Sequence, residues 1–546
     1  MRKLLAISFL LLIPVYLFPQ NLANGKYWIA LADKVGTEYS LANPSAFLSQ
    51  RSLDRRAKQK ISLSQEDLPV STIYLDSLKN MGLTILGASK WFNAVIVETY
   101  DSLLLDTLDR ISFVSGFHYK IPRKKTNYNF HFPDRTDISH ENRQISGLEY
   151  GRSLAQTTIM KGNSLHDLGY LGNGFQIAVI DGGFYRANIY PAFDSLWDEG
   201  RLLAHRDFSR AALDFFSTSS HGMSVLSTMA ANIPGEIIGT APKASYYLLK
   251  SEIVESETPL EEALWVLAAE FADSAGADII NSSLGYSVFD DPALNYSYSD
   301  MDGKTTLVTR AAEKAFSKGI VVVISAGNEG NKAWKYLTAP SDGPNVLSIG
   351  ATDTLGVVAA FSSRGPSPDM RIKPDILAVG SRTTVVNSSG LVSQGSGTSF
   401  AAPLIAGMVA CLWETAPEKT NYEVIQAIRR SASHYYNPND SSGYGMPNFL
   451  TAMFLLNTKS PLFSNSGLIA IPNPNSGRFE LFSDSISEGE ASITISSSTG
   501  KPVFAGTKAF SGGFVRIDEM EGKGKGLFLI VARKDGKEYF TKVILL

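Results

Sequence analysis

The sequence predicts an α/β fold whose central domain is a doubly wound, mostly parallel sheet, preceded by a small α+β unit and followed by a β-sandwich. Two observations predict the central sheet. Nearly continuous apolar runs at 175–180, 278–280 and 320–324 are typical of parallel strands covered on both faces. Helical segments alternate with these runs, and polar residues follow each run, where open α/β sheets bind their ligands.

Two helices are predicted between these strands. The first begins at a capping box formed by Thr258 and Glu261, has Pro259 at its first position and ends near Gly276. The second covers 307–318. Each helix leads directly into an apolar strand, which is the repeating unit of a doubly wound sheet.

Length and composition describe a multidomain globular protein. The chain has 546 residues, 44% of them hydrophobic, and its formal net charge of −3 gives no bulk attraction to nucleic acid. Arg2 and Lys3 precede an apolar run at 4–18, which is too short to span a bilayer and is typical of a secretory signal ending near residue 20. This segment predicts an exported protein, and no later segment resembles a transmembrane span.

Changes in composition divide the chain after this signal segment. A small α+β unit is predicted at 26–119, a polar linker at 120–155, the parallel-sheet domain at 156–457, a short linker at 458–467 and a sandwich of short strands at 468–546. The first unit carries a basic run formed by Arg51, Arg55, Arg56, Lys58 and Lys60. This run is interpreted as a solvated helix face, and contact with an acidic partner is the alternative.

A glycine-rich turn and the helix after it organise the central domain. Gly395 and Gly397 allow a sharp turn, and the apolar segment through Trp413 is predicted to be a buried helix with Ser399 in its first turn. Pro403 is placed near the first turn, where a missing N–H costs least. Cys411, the single cysteine, lies among the small residues of this helix and is interpreted as a buried, inert thiol.

Two further polar residues provide partners for a serine nucleophile. A serine hydroxyl needs a base that takes its proton and a carboxylate that orients the base. Asp181 ends the first parallel strand, and His221 opens a helix of small residues running to about residue 231. Taken singly, each residue also has a structural interpretation. Asp181 fits a turn, His221 fits a capped helix terminus, and Ser399 fits a tight turn before a core helix.

Together these residues, in the order Asp, His, Ser, resemble the subtilisin-like serine peptidases, or subtilases, of family S8, over roughly residues 165–457. The resemblance is carried by the segments 177–183, 220–223, 325–328, 361–366, 373–376 and 397–403. It implies that Ser399 attacks the scissile carbonyl, that His221 is the base oriented by Asp181, and that Asn328 supplies the oxyanion amide. Gly182 and Met223 depart from the family pattern, which usually has a hydroxyl residue at each position.

The resemblance also implies substrate contacts. Ser283, Leu284 and Gly285 resemble the segment that pairs with the substrate backbone, so the ligand is expected to be a protein or peptide bound as an added strand. Gly327 and Glu329 border the pocket for the residue before the cut. Glu329 either favours Lys or Arg there or is a solvated rim charge.

The remaining implications concern cofactors and partners. No cofactor is expected for the chemistry, no zinc site is predicted, and an acidic loop with Asp290, Asp291, Asp300 and Asp302 is either a solvated surface or the place of a structural calcium ion. The first unit resembles a subtilase propeptide, an intramolecular inhibitor. The sandwich resembles sorting modules of the type IX secretion route, which makes the secretion machinery a partner.

The prediction for the whole chain is therefore an exported serine endopeptidase that is made as a zymogen. The alternative is a surface adhesion protein with a catalytically dead subtilase fold. Loss of Asp181, His221, Ser399 or Asn328 would favour the alternative, and all four are present.

Overall fold

The computed structural model describes residues 21–23, 25–118, 148–210, 214–457, 467–471, 477–483, 485–486, 488–510 and 513–545. The predicted signal segment at 1–20 and most of both predicted linkers lie outside these ranges. None of the helices in the described ranges is long and apolar enough to cross a membrane.

The N-terminal domain is an antiparallel sheet with helices on one face. Its strands are β1 (Asn21–Ala23), β2 (Lys26–Leu31), β3 (Thr84–Ser89), β4 (Ala94–Glu98) and β5 (Val114–His118), and its helices are α1 (Gln50–Lys58), α2 (Thr72–Asn80) and α3 (Ser102–Leu108). β2 lies between β4 and β5, and β3 pairs with β4. Leu78 and Leu108 of the helices close a small core against Ile29, Val95 and Val97 of the sheet.

The central domain contains the predicted parallel sheet. Its strands are β6 (Gln176–Asp181), β7 (Leu202–Asp207), β8 (Asn232–Ile233), β9 (Ile237–Ile238), β10 (Ser245–Lys250), β11 (Ile279–Ser282), β12 (Val321–Ser325), β13 (Leu347–Thr352), β14 (Ile376–Val379), β15 (Thr383–Val386) and β16 (Val392–Gly395). Seven of them form one sheet in the order β14-β13-β12-β11-β6-β10-β7, and every pairing within it is parallel.

Helices cover both faces of this sheet. The helices are α4 (Leu154–Thr158), α5 (Gly162–Asp167), α6 (Asp194–Asp198), α7 (His221–Ala230), α8 (Pro259–Ala275), α9 (Leu307–Ser317), α10 (Thr398–Glu414), α11 (Asn421–Arg430) and α12 (Phe449–Asn457). One core lies between the sheet and α7 and α10, and a second between the sheet and α8 and α9. The capping box of Thr258 and Glu261 begins α8, and Gly276 ends it in the left-handed conformation, as predicted.

The packed central domain begins before the predicted boundary at residue 155. Tyr150 and Ser153 are buried. The Tyr150 hydroxyl lies 2.6 Å from Nδ1 of the buried His166, and the Ser153 hydroxyl donates to the carbonyl oxygen of Ile238 at 2.9 Å. Residues 148–155 therefore belong to the central domain, because their polar groups are satisfied inside it.

The C-terminal domain is a two-sheet sandwich. Its strands are β17 (Ile469–Ile471), β18 (Phe479–Phe482), β19 (Gly489–Ser497), β20 (Pro502–Phe510), β21 (Phe514–Ile517), β22 (Gly526–Lys534) and β23 (Lys537–Leu545). The sheets have the orders β17-β18-β21 and β20-β19-β22-β23, and they share one core. Asp535 and Gly536, both at positive φ, form the predicted hairpin turn between β22 and β23.

The interpretation of the basic run as a solvated helix face is wrong for its two central arginines. Lys58 and Lys60 are exposed, but Arg55 and Arg56 are only 5% and 2% exposed. Both guanidinium groups contact Asp273 of α8. The face of α1 that looked solvated in the sequence is therefore an interface with the central domain.

Candidate active site

Three neighbouring strands bring the predicted site residues to one edge of the sheet. β6 ends at Asp181, β11 leads into Ser283, and β12 leads into Asn328. β11 lies between β6 and β12 in a parallel register. The residues after these strands therefore meet at the carboxyl edge, where such folds bind ligands.

Asp181 and His221 form a hydrogen-bonded pair. Nδ1 of His221, the first residue of α7, lies 2.7 Å from Oδ1 of the fully buried Asp181. A Cβ on Gly222 would lie 2.6 Å from the Gly183 carbonyl oxygen and 2.8 Å from Cβ of Asp181. A glycine after the histidine is required because α7 approaches the end of β6 so closely.

The two carboxylate oxygens of Asp181 differ in their hydrogen bonding. Its Oδ1 also accepts a hydrogen bond from the Gly182 N–H at 2.7 Å, whereas its buried Oδ2 has no hydrogen-bond partner among the described residues. Neither Gly182 nor Met223 carries a hydroxyl that would supply one. A buried carboxylate oxygen without a hydrogen-bond partner is costly.

A second carboxylate, which sequence reasoning missed, lies beside this pair. Burial raises the pKa of Glu252 to about 7, and the charge of Asp181 acts in the same direction, while hydrogen bonds from the Tyr286 and Ser251 hydroxyls oppose them. Burial lowers the pKa of His221, but the charge of Asp181, the hydrogen bond to Asp181 and the charge of Glu252 together outweigh burial, so the net pKa is raised. Glu252 follows β10, and its position near Asp181 depends on the pairing of β10 with β6, which leaves no local signal in the sequence.

Ser399 lies in the first turn of α10, as predicted, but Pro403 does not. Pro403 is the sixth residue of the helix, so its missing N–H removes the bond that the Ser399 carbonyl would otherwise accept. The Ser283 hydroxyl donates to that carbonyl oxygen instead, at 2.8 Å. The Ser399 hydroxyl lies 3.4 Å from the Ser283 carbonyl oxygen, and the ring of His221 lies 6.1 Å from that of Phe400, the next residue.

Asn328 is oriented towards the same helix end. Its Oδ1 accepts hydrogen bonds from the Thr398 N–H at 2.9 Å and from the Thr398 hydroxyl at 3.1 Å, which directs Nδ2 away from this contact. A carbon built on Gly397 would lie 3.7 Å from both Asn328 Nδ2 and the Ser399 backbone nitrogen. The two nitrogens therefore border one space, which the absence of a side chain on Gly397 keeps open.

The remaining predicted contact residues line the same edge. Ser283 is buried, Leu284 half-buried and Gly285 exposed, in an irregular segment after β11. Gly327 has a φ of +107°, which favours glycine. Glu329 is half-buried, and its carboxylate accepts a hydrogen bond from Nζ of the exposed Lys332 at 2.9 Å.

The four carboxylates of the predicted acidic loop accept hydrogen bonds from backbone N–H groups. Asp291 accepts a hydrogen bond from the Ala293 N–H, and the other three aspartates likewise accept hydrogen bonds from backbone N–H groups.

A different group of carboxylates, Glu252, Glu257 and Glu261, places one oxygen from each residue within 4.8 Å of the others. Burial and the neighbouring charges raise the pKa of Glu257 to about 9.

Close packing of α10 explains its small residues. Cys411 is buried, and its Sγ donates to the Thr240 carbonyl oxygen at 3.2 Å. Burial raises the pKa of this thiol well above its usual value, so a buried, inert thiol is what the structure contains. A Cβ on Gly407 would overlap the Thr240 hydroxyl.

Comparison with known proteins shows the family to which this chain belongs. The sequence profile of the subtilase family of S8 peptidases matches residues 172–446, half of the chain. The chain belongs to the subtilase family. As a subtilase it is a subtilisin-like serine endopeptidase, and its central domain has the subtilisin-like α/β fold.

Individual proteins and solved structures are similar to this chain over about half of its length. Subtilisin E of Bacillus subtilis (strain 168) is 30% identical over 310 residues, which cover 56% of this chain and 71% of that protein. The serine protease AprX of the same organism is 29% identical over 322 residues, covering 54% and 67%. The solved structure of the prenylagaramide maturation protease PagA is 25% identical with a TM-score of 0.43, covering 55% of this chain and 99% of that one.

The N-terminal domain of this subtilase also matches a known family. The profile of the Peptidase S8 propeptide domain of Bacteroidota matches residues 26–136. The predicted propeptide is thereby confirmed, and the match extends past the predicted domain end at residue 119.

Proposed function

We propose that this subtilase is an exported endopeptidase that cuts peptide bonds with Ser399, His221 and Asp181. The observation that carries the proposal is the hydrogen bond of 2.7 Å between His221 Nδ1 and buried Asp181, next to a helix end that carries Ser399. A buried carboxylate holds the imidazole in the tautomer whose Nε2 accepts a proton, which is what a serine nucleophile requires. Nothing in the described site favours the catalytically dead alternative.

The mechanism uses side chains and amides of this chain and requires no cofactor. Ser399 Oγ attacks the scissile carbonyl while His221 takes its proton, and the imidazolium that forms is stabilised by Asp181. The carbonyl oxygen gains negative charge in the space beside Gly397, between Asn328 Nδ2 and the Ser399 N–H. His221 then returns the proton to the leaving amine. In the second half of the reaction, a water molecule attacks the acyl-enzyme in place of Ser399, with His221 again accepting and returning the proton.

The substrate is proposed to bind as an extended peptide along Ser283, Leu284 and Gly285. This segment follows the central strand β11 without a ladder partner of its own in the described residues, so its backbone groups are placed to pair with another chain. Gly327 and Glu329 border the pocket for the residue before the cut. The specificity of that pocket is tested in the Discussion.

The domain order supports a zymogen that matures by cleavage within the segment 119–147. A propeptide domain precedes the peptidase domain, and the segment between them contains Arg123, Lys124 and Lys125. We further propose that the segment 1–20 directs export and that the sandwich connects the protein to a secretion machinery. A structural calcium ion remains a proposal that chelation during thermal unfolding would test.

A fluorophosphonate probe tests the proposed nucleophile. The mature protein should be labelled at Ser399, and Ser399→Ala should not, because only an activated serine reacts with the probe. Labelling that persists in the variant would refute Ser399 as the nucleophile. In a purified refolding experiment, Ser399→Ala should also remain the longer precursor, and equal processing of both proteins would show that another protease makes the cut.

A further inference from the structure

Four parts of the chain follow adjacent strands at the carboxyl edge of the parallel sheet. The strands lie in the order β10, β6, β11 and β12, and they lead to Glu252, Asp181, the segment 283–285 and the segment 327–329, respectively. Glu252 and the segment 327–329 therefore lie on opposite sides of the segment 283–285.

A peptide bound along 283–285 directs successive side chains to opposite sides, because side chains alternate along an extended strand. The residue directly before the cut points to the pocket bordered by Gly327 and Glu329. The second residue before the cut then points to the other side, where Asp181, His221 and Glu252 lie. Of these three, only Glu252 has no part in the proposed proton transfer.

Glu252 lies against the pair formed by Asp181 and His221. A carbon built on Gly182, the residue after Asp181, would lie 3.6 Å from Cβ and 3.7 Å from Cγ of Glu252. The Tyr286 hydroxyl donates to Oε1 of Glu252 at 2.6 Å, and the Ser251 hydroxyl donates to the same oxygen at 3.1 Å. Glu252 is half-buried. Because both hydrogen bonds go to Oε1, the second carboxylate oxygen is available to a bound group.

Tyr286 fixes this carboxylate relative to the substrate segment. Tyr286 directly follows Gly285 and is 1% exposed. Its backbone exchanges two hydrogen bonds with that of Ala339, at 2.8 and 3.1 Å. A buried side chain on a paired backbone has little freedom, so Glu252 is held in a defined position beside 283–285.

The charge of Glu252 is not neutralised by a cation of the chain itself. Within the described ranges, no lysine or arginine forms a salt bridge with Glu252 or with Glu257 and Glu261, whose oxygens lie within 4.8 Å of it. By contrast, the carboxylate of the buried Asp375 contacts Lys373 at 2.7 Å. A substrate cation would therefore meet a carboxylate that has no other cationic partner.

We propose that Glu252 selects a lysine or an arginine as the second residue before the cut. The free oxygen of Glu252 accepts a charge-assisted hydrogen bond from that side chain, which is stronger than a bond between neutral groups. The half-buried position reduces screening by water and salt, which distinguishes this contact from an exposed ion pair. The inference rests on the proposed function, since it takes the substrate to lie along 283–285.

The preference should appear as the pH rises through neutrality. Burial and the charge of Asp181 raise the pKa of Glu252 to about 7, while the hydroxyls of Tyr286 and Ser251 and the charge of His221 oppose this rise. Glu252 is neutral below this pKa and attracts no cation, whereas above it the carboxylate is charged. Lysine and arginine side chains of a substrate remain cationic throughout this range.

The two neighbouring carboxylates do not compete for the substrate cation in this range. Burial and the surrounding carboxylates raise the pKa of Glu257 to about 9 and that of Glu261 well above its usual value. Both groups therefore remain protonated where Glu252 becomes charged. Glu252 is the member of this group that supplies the charge.

Two peptide p-nitroanilides test the proposal, because the leaving group fixes the position of the cut. They carry leucine directly before the cut and differ only at the second residue, which is lysine in one and leucine in the other. The ratio of their kcat/KM values, lysine over leucine, should rise about tenfold between about pH 5.5 and about pH 8.5. Protonation of His221 cancels in this ratio. A ratio that stays constant with pH would overturn the proposal.

Variants assign the preference to Glu252. Glu252→Gln keeps the shape of the side chain and removes its charge, so the ratio should fall about tenfold at about pH 8.5 and lose its pH dependence. Tyr286→Phe serves if Glu252→Gln fails to fold. It removes a hydrogen bond that stabilises the charged carboxylate, so the preference should appear at higher pH. Glu255→Gln, at an exposed position of the same loop, is the matched control and should keep the wild-type ratio. A wild-type ratio in Glu252→Gln would overturn the proposal.

Binding to Ser399→Ala protein separates this inference from the proposed function. Fluorescence anisotropy of the two peptides, labelled at their amino ends, measures dissociation constants without cutting. At about pH 8.5 the lysine peptide should bind about tenfold tighter, relative to the leucine peptide, than it does when Glu252→Gln is added. Failure of the wild-type protein to cut either peptide would count against the proposed function. An unchanged ratio of dissociation constants would overturn Glu252 as the determinant of specificity.

Discussion

Asn328 Oδ1 accepts two hydrogen bonds from a single residue, the N–H and the hydroxyl of Thr398. The Thr398 hydroxyl also accepts a hydrogen bond from the Gly327 N–H at 3.2 Å. The residue before Ser399 thus fixes the amide whose Nδ2 faces the space beside Gly397. One helix end therefore positions both the proposed nucleophile and the proposed oxyanion donor.

Removal of the Thr398 hydroxyl should therefore lower kcat more than it changes KM. Thr398→Val removes one of the two bonds that orient Asn328, and we expect a loss of about tenfold in kcat, whereas Asn328→Ala should cost about 10²–10³-fold. Steady-state kinetics on a peptide substrate measure both. Thr398→Ser keeps the hydroxyl and is the control. A value of kcat for Thr398→Val equal to that of wild type would show that the backbone N–H alone orients Asn328.

The sequence singles out the three proposed reacting residues because each stands at an element boundary with a recognisable pattern. Asp181 ends an apolar strand, His221 opens a helix, and Ser399 follows a glycine turn, and the structure places all three at one edge. It did not predict Glu252, since the proximity of Glu252 to Asp181 depends on the pairing of β10 with β6. Pairing between strands that are distant in sequence leaves no local signal.

The interface of the propeptide domain was missed for a related reason. The spacing of Arg55 and Arg56 is that of an exposed basic helix, and only tertiary contact with Asp273 reveals them as buried. The prediction that Pro403 lies near the first turn of α10 was wrong. Its missing N–H is replaced by a hydrogen bond from the hydroxyl of Ser283, a residue more than a hundred positions away in the sequence. Local propensity describes a helix but does not say which of its faces is covered.

Gly407 should tolerate no larger residue. An added methyl group would overlap the Thr240 hydroxyl at a place where α10 packs tightly, so Gly407→Ala should lower the free energy of unfolding by about 1–3 kcal/mol. Thermal unfolding in a Ser399→Ala background measures the loss without self-digestion. Gly182→Ala is the comparison, because its added carbon would meet Cβ of Glu252 at an ordinary 3.6 Å. Equal stability of both variants would contradict the packing argument.

Removal of residues after 467 should leave peptidase activity intact and prevent export. The core of the sandwich consists of residues from Leu468 to Leu545 only, while the cores of the peptidase domain contain none of them. Activity of the purified truncated protein and its amount outside the producing cells are the two measurements. An inactive truncation that is exported normally would contradict both halves of this prediction.

Substitution of Glu329 should change which substrate residue is preferred before the cut. Glu329→Lys should lower kcat/KM for peptides with Lys or Arg before the cut relative to Leu or Phe, and the difference should shrink as salt rises. Lys332 competes for the carboxylate, so Lys332→Ala should shift the ratio the opposite way. Rim ion pairs contribute under about 1 kcal/mol, which limits the change to a few-fold. An unchanged ratio in both variants would make Glu329 a surface charge without influence on specificity.

Glu252 should raise the pH at which the enzyme loses activity on acidification. Catalysis needs neutral His221, whose pKa is raised in part by the negative charge of Glu252. Glu252→Gln removes that charge and makes the imidazolium less favourable, so the acidic limb of the kcat/KM profile should move to lower pH. The displacement should be smaller than a permanently charged neighbour would cause, because Glu252 itself has a pKa of about 7 and is partly protonated in this range. Glu255→Gln, at an exposed position of the same loop, should leave the limb in place. A limb that does not move in Glu252→Gln, or that moves to higher pH, would show that Asp181 alone sets the protonation of His221.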